Sequence, residues 1–371
     1  LVAGCVTSLN TDFPQSNNKI VPAGLHSPAH TNFYLSEIAM KTLEQVRAAL
    51  QPYPIEVEFP DIRQWQSGNG GVEYVHTFDS GVPGPHVMIM ALTHGNEVTG
   101  AIAVDALLRK GVRPRQGRLS LAFGNVEAYH RFDPQNIDAT RYIDEDMNRV
   151  WVPERLDGDE VSVELCRARQ LRPVIDTVDL LLDIHSMHEE ASPVMMSGAQ
   201  TKGLQFAAAL GLPEVVVADS GHPNGKRMRD YGGFNEAASP KNALLIETGQ
   251  HFSKRSEQVA MDIAARFLIS TGAVSEADVA LFLSQTPAPA IAQRFLRVTE
   301  PVVASSMEFT FVEDYRGLEV IERAGTVIAR DGEREVVTPY DHCVLVQPSL
   351  RHLGPGVTVV RLARIIPGVQ V

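Results

Sequence analysis

The side chains in this sequence that could do chemistry stand where apolar runs end. His94 and Glu97 follow HVMIMAL (86–92), in the stretch ALTHGNE (91–97). His185 closes VDLLLDIHS (178–186), and Glu247 stands near the end of NALLIET (242–248). A buried imidazole or carboxylate is costly without a partner, so each needs an explanation. Singly, ordinary ones exist: a polar helix start for His94 and Glu97, a backbone carbonyl for His185, an arginine for Glu247. Together they fit a metal centre. Catalytic zinc takes three ligands from His and Asp/Glu and keeps a fourth position for water. His94, Glu97 and His185 make such a set. Glu247 is then the carboxylate outside the metal shell that takes the water's proton. Asp183 shares a strand face with His185 and could orient its ring. His188 and Glu189 are rival ligands, placed lower because HEE lies past the strand.

The elements that must position these groups follow from periodicity. HVMIMAL, GRLSLAFGN (117–125), VDLLLDIHS, EVVVAD (214–219) and NALLIET are nearly continuous apolar runs, as expected of strands covered on both faces. Helical spacing marks 32–50, VTGAIAVDALLRKGV (98–112, ended by Gly111), 162–175 (ended or kinked by Pro173), 201–211, 256–271 and 276–285. IEVEF (55–59) and GVEYVHTF (71–78) alternate like strands. The alternation of strand and helix predicts an α/β fold, a mixed, mostly parallel sheet flanked by helices. In such sheets ligands bind beyond the carboxyl ends of the strands, where His94, His185 and Glu247 all fall. Residues 1–30 read as an irregular arm, 31–285 as the catalytic domain and TPAPA (286–290) as a linker. Residues 291–371, rich in short strand patterns broken by Gly, Pro and Asp, read as a smaller C-terminal all-β domain.

Bulk properties narrow the partners. Over 371 residues, 44% hydrophobic content allows a large core, and a formal charge of -12 argues against nucleic acid. No apolar run reaches the ~18 residues of a membrane span. Cys5, Cys166 and Cys343 are too sparse for a disulfide framework and read as separate thiols. The opening LVAGC resembles the end of a lipoprotein signal, which would anchor the chain through Cys5. The charged and apolar regions of such a signal are missing, so the expectation is a cytoplasmic protein.

One more stretch, TRYIDEDMNRVW (140–151), sets Arg141, Asn148 and Arg149 among acidic residues; guanidinium forks grip carboxylates in pairs of bonds. HGNE, TRYIDEDMNRVW, DIHS and LLIET, in this order and spacing, resemble the succinylglutamate desuccinylase/aspartoacylase family, which shares the zinc carboxypeptidase-like fold. The resemblance covers roughly 50–270 closely. It implies one zinc ion per chain on His94, Glu97 and His185, with Glu247 as general base and then acid. It implies that Arg141 polarises the scissile carbonyl, that Asn148 and Arg149 hold a substrate carboxylate, and that Asp146 buttresses a zinc histidine. The implied substrate is a small N-acylated amino acid, and a homodimer is expected by analogy. The sequence departs from the family in DMNR for DLNR and in ETGQHF for EVGPQ. The family's upstream arginine has only Arg227 and Arg229 as counterparts, and Tyr340 is the one candidate for its pocket tyrosine. A carboxypeptidase for short peptides and a silent metal- or ligand-binding protein are the competing readings. No G-x-S-x-G elbow supports a serine hydrolase, and SGNGG (67–71) has no helix behind it to make a nucleotide loop.

Overall fold

The structure, a computed structural model, describes residues 53–222, 224–284, 292–367 and 369. The expected arm 1–30, the helix 32–50, Cys5 and the linker 286–290 lie outside the described residues. The strands are β1 (Val75–Asp79), β2 (His86–Ala91), β3 (Arg118–Phe123), β4 (Leu180–Met187), β5 (Val194–Met196), β6 (Val215–Ala218) and β7 (Asn242–Gln250). The longer helices are α1 (Val98–Lys110), α2 (Val163–Ile175), α3 (Thr201–Leu210) and α4 (Lys254–Ser270).

The apolar runs are apolar throughout because both faces of the sheet are covered. In β2, Val87, Ile89 and Ala91 point into the core shared with α1, α3 and α4. Met88 and Met90 point the other way, into a core with α2, Trp151 and Phe234. The same alternation divides Leu182 and Ile184 from Leu181 in β4, as the two-residue period of a strand requires. Strands β3, β2, β4 and β7 pair in parallel. β1 runs antiparallel to β3, and the short β5 runs antiparallel to β7, which makes the sheet mixed.

Helix boundaries follow local chemistry. α1 stops at Gly111, which takes a left-handed φ of 70° and donates its N–H back to Leu107 and Leu108. α2 starts at Ser162, whose side chain accepts from Leu165 N, and it runs two residues past Pro173 before ending. The helix expected at 276–285 is shorter: one turn at Glu276–Val279, then a 3-10 turn at Ala280–Phe282. IEVEF is a correction, for residues 55–59 form no strand. Their alternation comes from laying one side on the core: Val57 is buried, Phe59 packs 4.4 Å from Phe132, and Glu56 N donates to Phe252 O.

Beyond residue 292 the described chain is all β. It forms β8 (Arg294–Val303), β9 (Phe309–Phe311), β10 (Val320–Ile321), β11 (Val327–Asp331), β12 (Arg334–Val337), β13 (Cys343–Val346) and β14 (Thr358–Ile366). These strands do not stand apart from the first sheet. β8 pairs in parallel with β6, and β14, β13 and β10 follow, giving an 11-stranded sheet in the order β1-β3-β2-β4-β7-β5-β6-β8-β14-β13-β10. β12, β11 and β9 make a second, 3-stranded sheet over a core of its own that includes Phe309, Ile328 and Leu345. Cys343 is a buried free thiol. Cys166 is disulfide-bonded, which corrects the expectation of three separate thiols.

Candidate active site

His94, Glu97, His185 and Glu247 meet at the carboxyl edge of β2, β4 and β7. After β2 the chain turns sharply: Leu92, fully buried, adopts a left-handed φ of 58°, a conformation costly for a side chain of its kind. The turn continues through Gly95, where a Cβ would fall 2.5 Å from both Ala128 C and Thr140 O. Only glycine fits there, and this close approach sets His94 against its neighbours. Glu97 is the residue that caps α1. Across the sheet, His185 and Glu247 are register partners on β4 and β7.

The contacts form a chain of alternating acids and imidazoles. Glu97 Oε1 lies 2.7 Å from His94 Nδ1, and its Oε2 lies 2.8 Å from His185 Nδ1. The far nitrogens are held too: His94 Nε2 lies 2.8 Å from Asp146, and His185 Nε2 lies 2.8 Å from Asp183. Thr93 Oγ1 donates to the other oxygen of Asp183 at 2.9 Å. Burial pushes the Glu97 carboxyl up, but His94 and His185 outweigh it and hold the group well below its usual range. Burial likewise pulls His185 down, and the charges of Asp183 and Glu97 overcome it and raise the imidazole well above its usual value. Ligand-type atoms of His94, Glu97 and His185 lie within 4.8 Å of one another. Both rings turn Nδ1 to the shared carboxylate and Nε2 to an aspartate, which is how metal-binding histidines are held by outer partners. Two imidazoles and a carboxylate, with Asp146 and Asp183 behind them, suit a divalent cation of zinc type.

Glu247 differs from Glu97 in having no cation in contact. Burial and then the Glu97 charge push its carboxyl up to about 7. Oε2 is buried with no hydrogen-bond partner among the described residues, and Oε1 is approached only by Gln347 Nε2 at 3.5 Å. A carboxyl poised near neutral pH with an unused oxygen can accept a proton and return it.

The loop 141–149 reaches the same place. Arg141 Nη1 donates to Glu97 Oε1 at 2.8 Å, and its backbone oxygen accepts from Gly95 N at 2.9 Å. Asn148 accepts from Met228 N at 3.0 Å and sets its amide nitrogen 3.4 Å from His185 Nε2. Arg149 lies 3.6 Å from Asp146 and donates to Asn148 O at 2.8 Å. The loop is shaped by Glu164, a fully buried carboxylate that sequence reasoning missed. It accepts from the backbone of Ile143 at 2.6 Å, Asp144 at 3.1 Å and Glu145 at 3.2 Å, and from Asn125 Nδ2 at 2.9 Å. Its only signal in the sequence was an acid in the first turn of an unexplained helix.

Other candidates fall elsewhere. His188 sits beside Asp138 at 3.3 Å, and Glu189 accepts from Tyr53. Asp138, His188 and His352 do bring ligand-type atoms together, but Arg351 Nε already lies 3.0 Å from each Asp138 oxygen. Arg227 forks onto Asp219 at 2.6 and 3.0 Å and also meets Asp230 at 2.6 Å. Arg229 pairs with Asp230 and donates to Ser197 O and Ala243 O. Both arginines are thus consumed in structure. Tyr340 bonds Thr299 and lies under Arg364. Gln347 and Arg361, also missed, enter the site from β13 and β14; nothing in their local pattern singled them out.

The fold and the acid-bracketed His–Glu–His group define an α/β protein with a metal-binding type of site at the carboxyl edge of its sheet. Residues 83–271 match the model of the succinylglutamate desuccinylase/aspartoacylase catalytic domain, and the chain belongs to this family, whose members are amide hydrolases. Aspartoacylases of Danio rerio and Mus musculus are 29% and 31% identical over 111 residues. That match covers 27% of this chain and spans only about a third, 33%, of each curated relative. Among solved structures, a succinylglutamate desuccinylase from Vibrio parahaemolyticus is similar, with a TM-score of 0.58 at 17% identity, covering 80% of this chain and 87% of that one. The ectoine utilization protein EutE (DoeB) from Ruegeria pomeroyi, in a product-bound structure, gives 0.54 at 17% identity, covering 84% and 97%. At these identities the structural likeness speaks for the fold alone. No helix among the described residues is long and apolar enough to cross a membrane.

Proposed function

We propose that the protein is a zinc-dependent hydrolase that cleaves the amide bond of a small N-acyl amino acid, releasing an acyl carboxylate and a free amino acid. The observation that carries this reading is Glu247: a buried carboxyl pushed to about 7, with one oxygen unpartnered, beside the His–Glu–His group. His94, Glu97 and His185 would hold the zinc, and Asp146 and Asp183 would fix the two rings. When bound, the ion supplies Lewis acidity to a carbonyl oxygen and to a water molecule.

The remaining steps belong to the chain. Asn148 and Arg149 hold the α-carboxylate and so fix the amide in the site. Arg141 donates to the carbonyl oxygen as negative charge grows on it. Glu247 takes a proton from water as the new C–O bond forms. It gives that proton to the amide nitrogen as the C–N bond breaks. Residues of the loop between β13 and β14 reach this edge, Gln347 at Glu247 and Arg351 at Asp138. Such a cover favours small substrates over peptides.

The test is a metal analysis of the purified protein followed by a panel of N-acetyl and N-succinyl amino acids beside short peptides, with the released amine detected. The expected result is one zinc per chain and amine release from the acyl amino acids. A protein without stoichiometric zinc, or one that releases amine only from peptides, would refute the reading.

A further inference from the structure

A second group of metal-type donors stands apart from the first. Asp138, His188 and His352 bring ligand-type atoms within 4.8 Å of one another. They come from three places in the chain. Asp138 is in the 3-10 turn Ile137–Thr140, His188 directly follows β4, and His352 lies in the loop between β13 and β14. His188 Nδ1 is 3.3 Å from Asp138 Oδ1, and the rings of His188 and His352 stand 5.5 Å apart at 70°. A separation of 3.3 Å is long for a charge-assisted hydrogen bond. It suits an ion better: two donors ~2.0–2.1 Å from zinc at a tetrahedral angle stand about 3.4 Å apart.

Two imidazole nitrogens beside this group are unsatisfied. His188 Nε2 and His251 Nε2 are buried with no hydrogen-bond partner among the described residues. The two rings make a T-shaped contact at 4.4 Å, and His251 is 1% exposed. Orphaned buried nitrogens are costly and rare. A cation on His188 changes their roles. Coordination at Nδ1 puts the ring proton on Nε2, and a metal-binding histidine donates that proton to an outer acceptor. His251 Nε2 is the acceptor in the adjoining ring, since its Nδ1 already meets Ser186 Oγ at 2.8 Å.

The local charges leave room for an ion. Arg351 Nε lies 3.0 Å from both oxygens of Asp138, and its Nη1 lies 3.4 Å from Glu189 Oε1. One arginine thus serves two carboxylates. A carboxylate has about four lone-pair sites, so Arg351 does not exhaust Asp138. Burial first holds both imidazoles below their ordinary value, followed by His251 and Arg141 for His188 and by Arg141 for His352. Neutral imidazole is the form that binds metals.

We infer that Asp138, His188 and His352 hold a second divalent cation of zinc type, which fastens the β13–β14 loop to the catalytic part of the chain. This inference goes beyond the hydrolase reading and does not depend on it. The second site is the weaker of the two. Among the described residues no aspartate stands behind His188 and His352 as Asp146 and Asp183 stand behind His94 and His185. His352 is also exposed, and Arg351 shares Asp138. The second ion therefore binds after the first and exchanges with solution.

The experiment titrates zinc into the tag-free full chain and counts bound metal by equilibrium dialysis. Wild type should bind a tight equivalent and a weaker second one. His352→Ala, a change at an exposed position, should keep the first and weaken the second by at least about tenfold. His94→Ala should lose the tight equivalent and keep the one that depends on His352, so failure of one site is read apart from failure of the other. A wild type that stays at one equivalent in large zinc excess would overturn the inference. So would a second equivalent bound equally well by His352→Ala, or a single equivalent lost in both variants. Hydrogen exchange of residues 347–357 reads the fastening: added zinc should slow it in wild type and not in His352→Ala. Exchange that is indifferent to a bound second ion would overturn that part.

Discussion

Strand β2 begins with one buried histidine and is followed by another. His86 opens the strand; His94 comes just after its end. Both are nearly inaccessible, yet their partners differ in kind. His86 meets neutral groups, with Ser120 Oγ at 2.7 Å from Nε2 and Thr177 Oγ1 at 3.0 Å from Nδ1. Burial pushes its imidazole down to about 4. His94 stands between the carboxylates of Glu97 and Asp146. One end of the strand stores a satisfied neutral ring; the other concentrates negative charge around two rings. Burial alone therefore does not mark a ligand. What marks it is a carboxylate on each side of the imidazole, an arrangement that needs a cation or protons to be stable.

The sharpest way to break this contrast is at Glu247. Glu247→Gln should keep the metal and lose turnover by about a hundred- to ten-thousandfold, read by metal content and amine release on the same preparation. Wild-type turnover in that variant would leave the carboxyl edge without its base. Next in size are the aspartates behind the rings. Asp183→Asn and Asp146→Asn should weaken metal affinity by about 10–100-fold, measured by competition with a chelator. Asp179, whose Oδ2 accepts from His86 N at 2.8 Å, is the control at the other end of the strand. Asp179→Asn should leave metal affinity unchanged, and an equal loss there would erase the distinction between the two ends.

The sequence revealed the carboxyl end of β2 better than any other part of the site. His94, His185 and Glu247 each follow or end an apolar run, and an α/β sheet gathers such ends at one edge. The α/β class was readable for the same reason, since runs like VDLLLDIHS have no polar face to offer solvent. What was hidden depended on distance along the chain. Glu164 looks like any acid in a first helical turn, and only the fold shows three backbone amides turned to it. Gln347 and Arg361 stand in alternating strand patterns whose neighbours suggested a separate small domain. The pairing of β8 with β6 that brings them to Glu247 leaves no local mark. Arg227 and Arg229 are the arginines nearest upstream of Glu247 in the sequence, and the aspartates Asp219 and Asp230 that consume them were not foreseeable from spacing.

A smaller effect tests how the turn after β2 positions its histidine. Gly95→Ala places a methyl against the backbone of Ala128 and Thr140. Relief requires the turn to move, at about 1–3 kcal/mol for overpacking, and His94 moves with it. The expected outcome is a lower melting temperature together with weaker metal retention. Loss of stability with full metal affinity would show that the turn and the ligand are independent.

The smallest effect lies at the opposite end of the strand, and it concerns pH. The folded state holds His86 near 4, below its ordinary 6.5, through burial first and the Arg118 charge second. Asp179 and the carbonyl of Thr177 act against the shift, and Lys241 adds to it. A depressed imidazole favours the folded state in its neutral form. The unfolded chain takes up the proton first as pH falls, so this contribution is complete above about 6.5 and is lost progressively toward 4. His86→Gln removes the titration and keeps a polar side chain. The stability difference between wild type and His86→Gln should be flat above pH 6.5 and should shift against wild type between 6.5 and 4, as read by denaturant midpoints. A difference that stays constant across that window would mean that His86 is not held neutral, and the contrast with His94 would then rest on geometry alone.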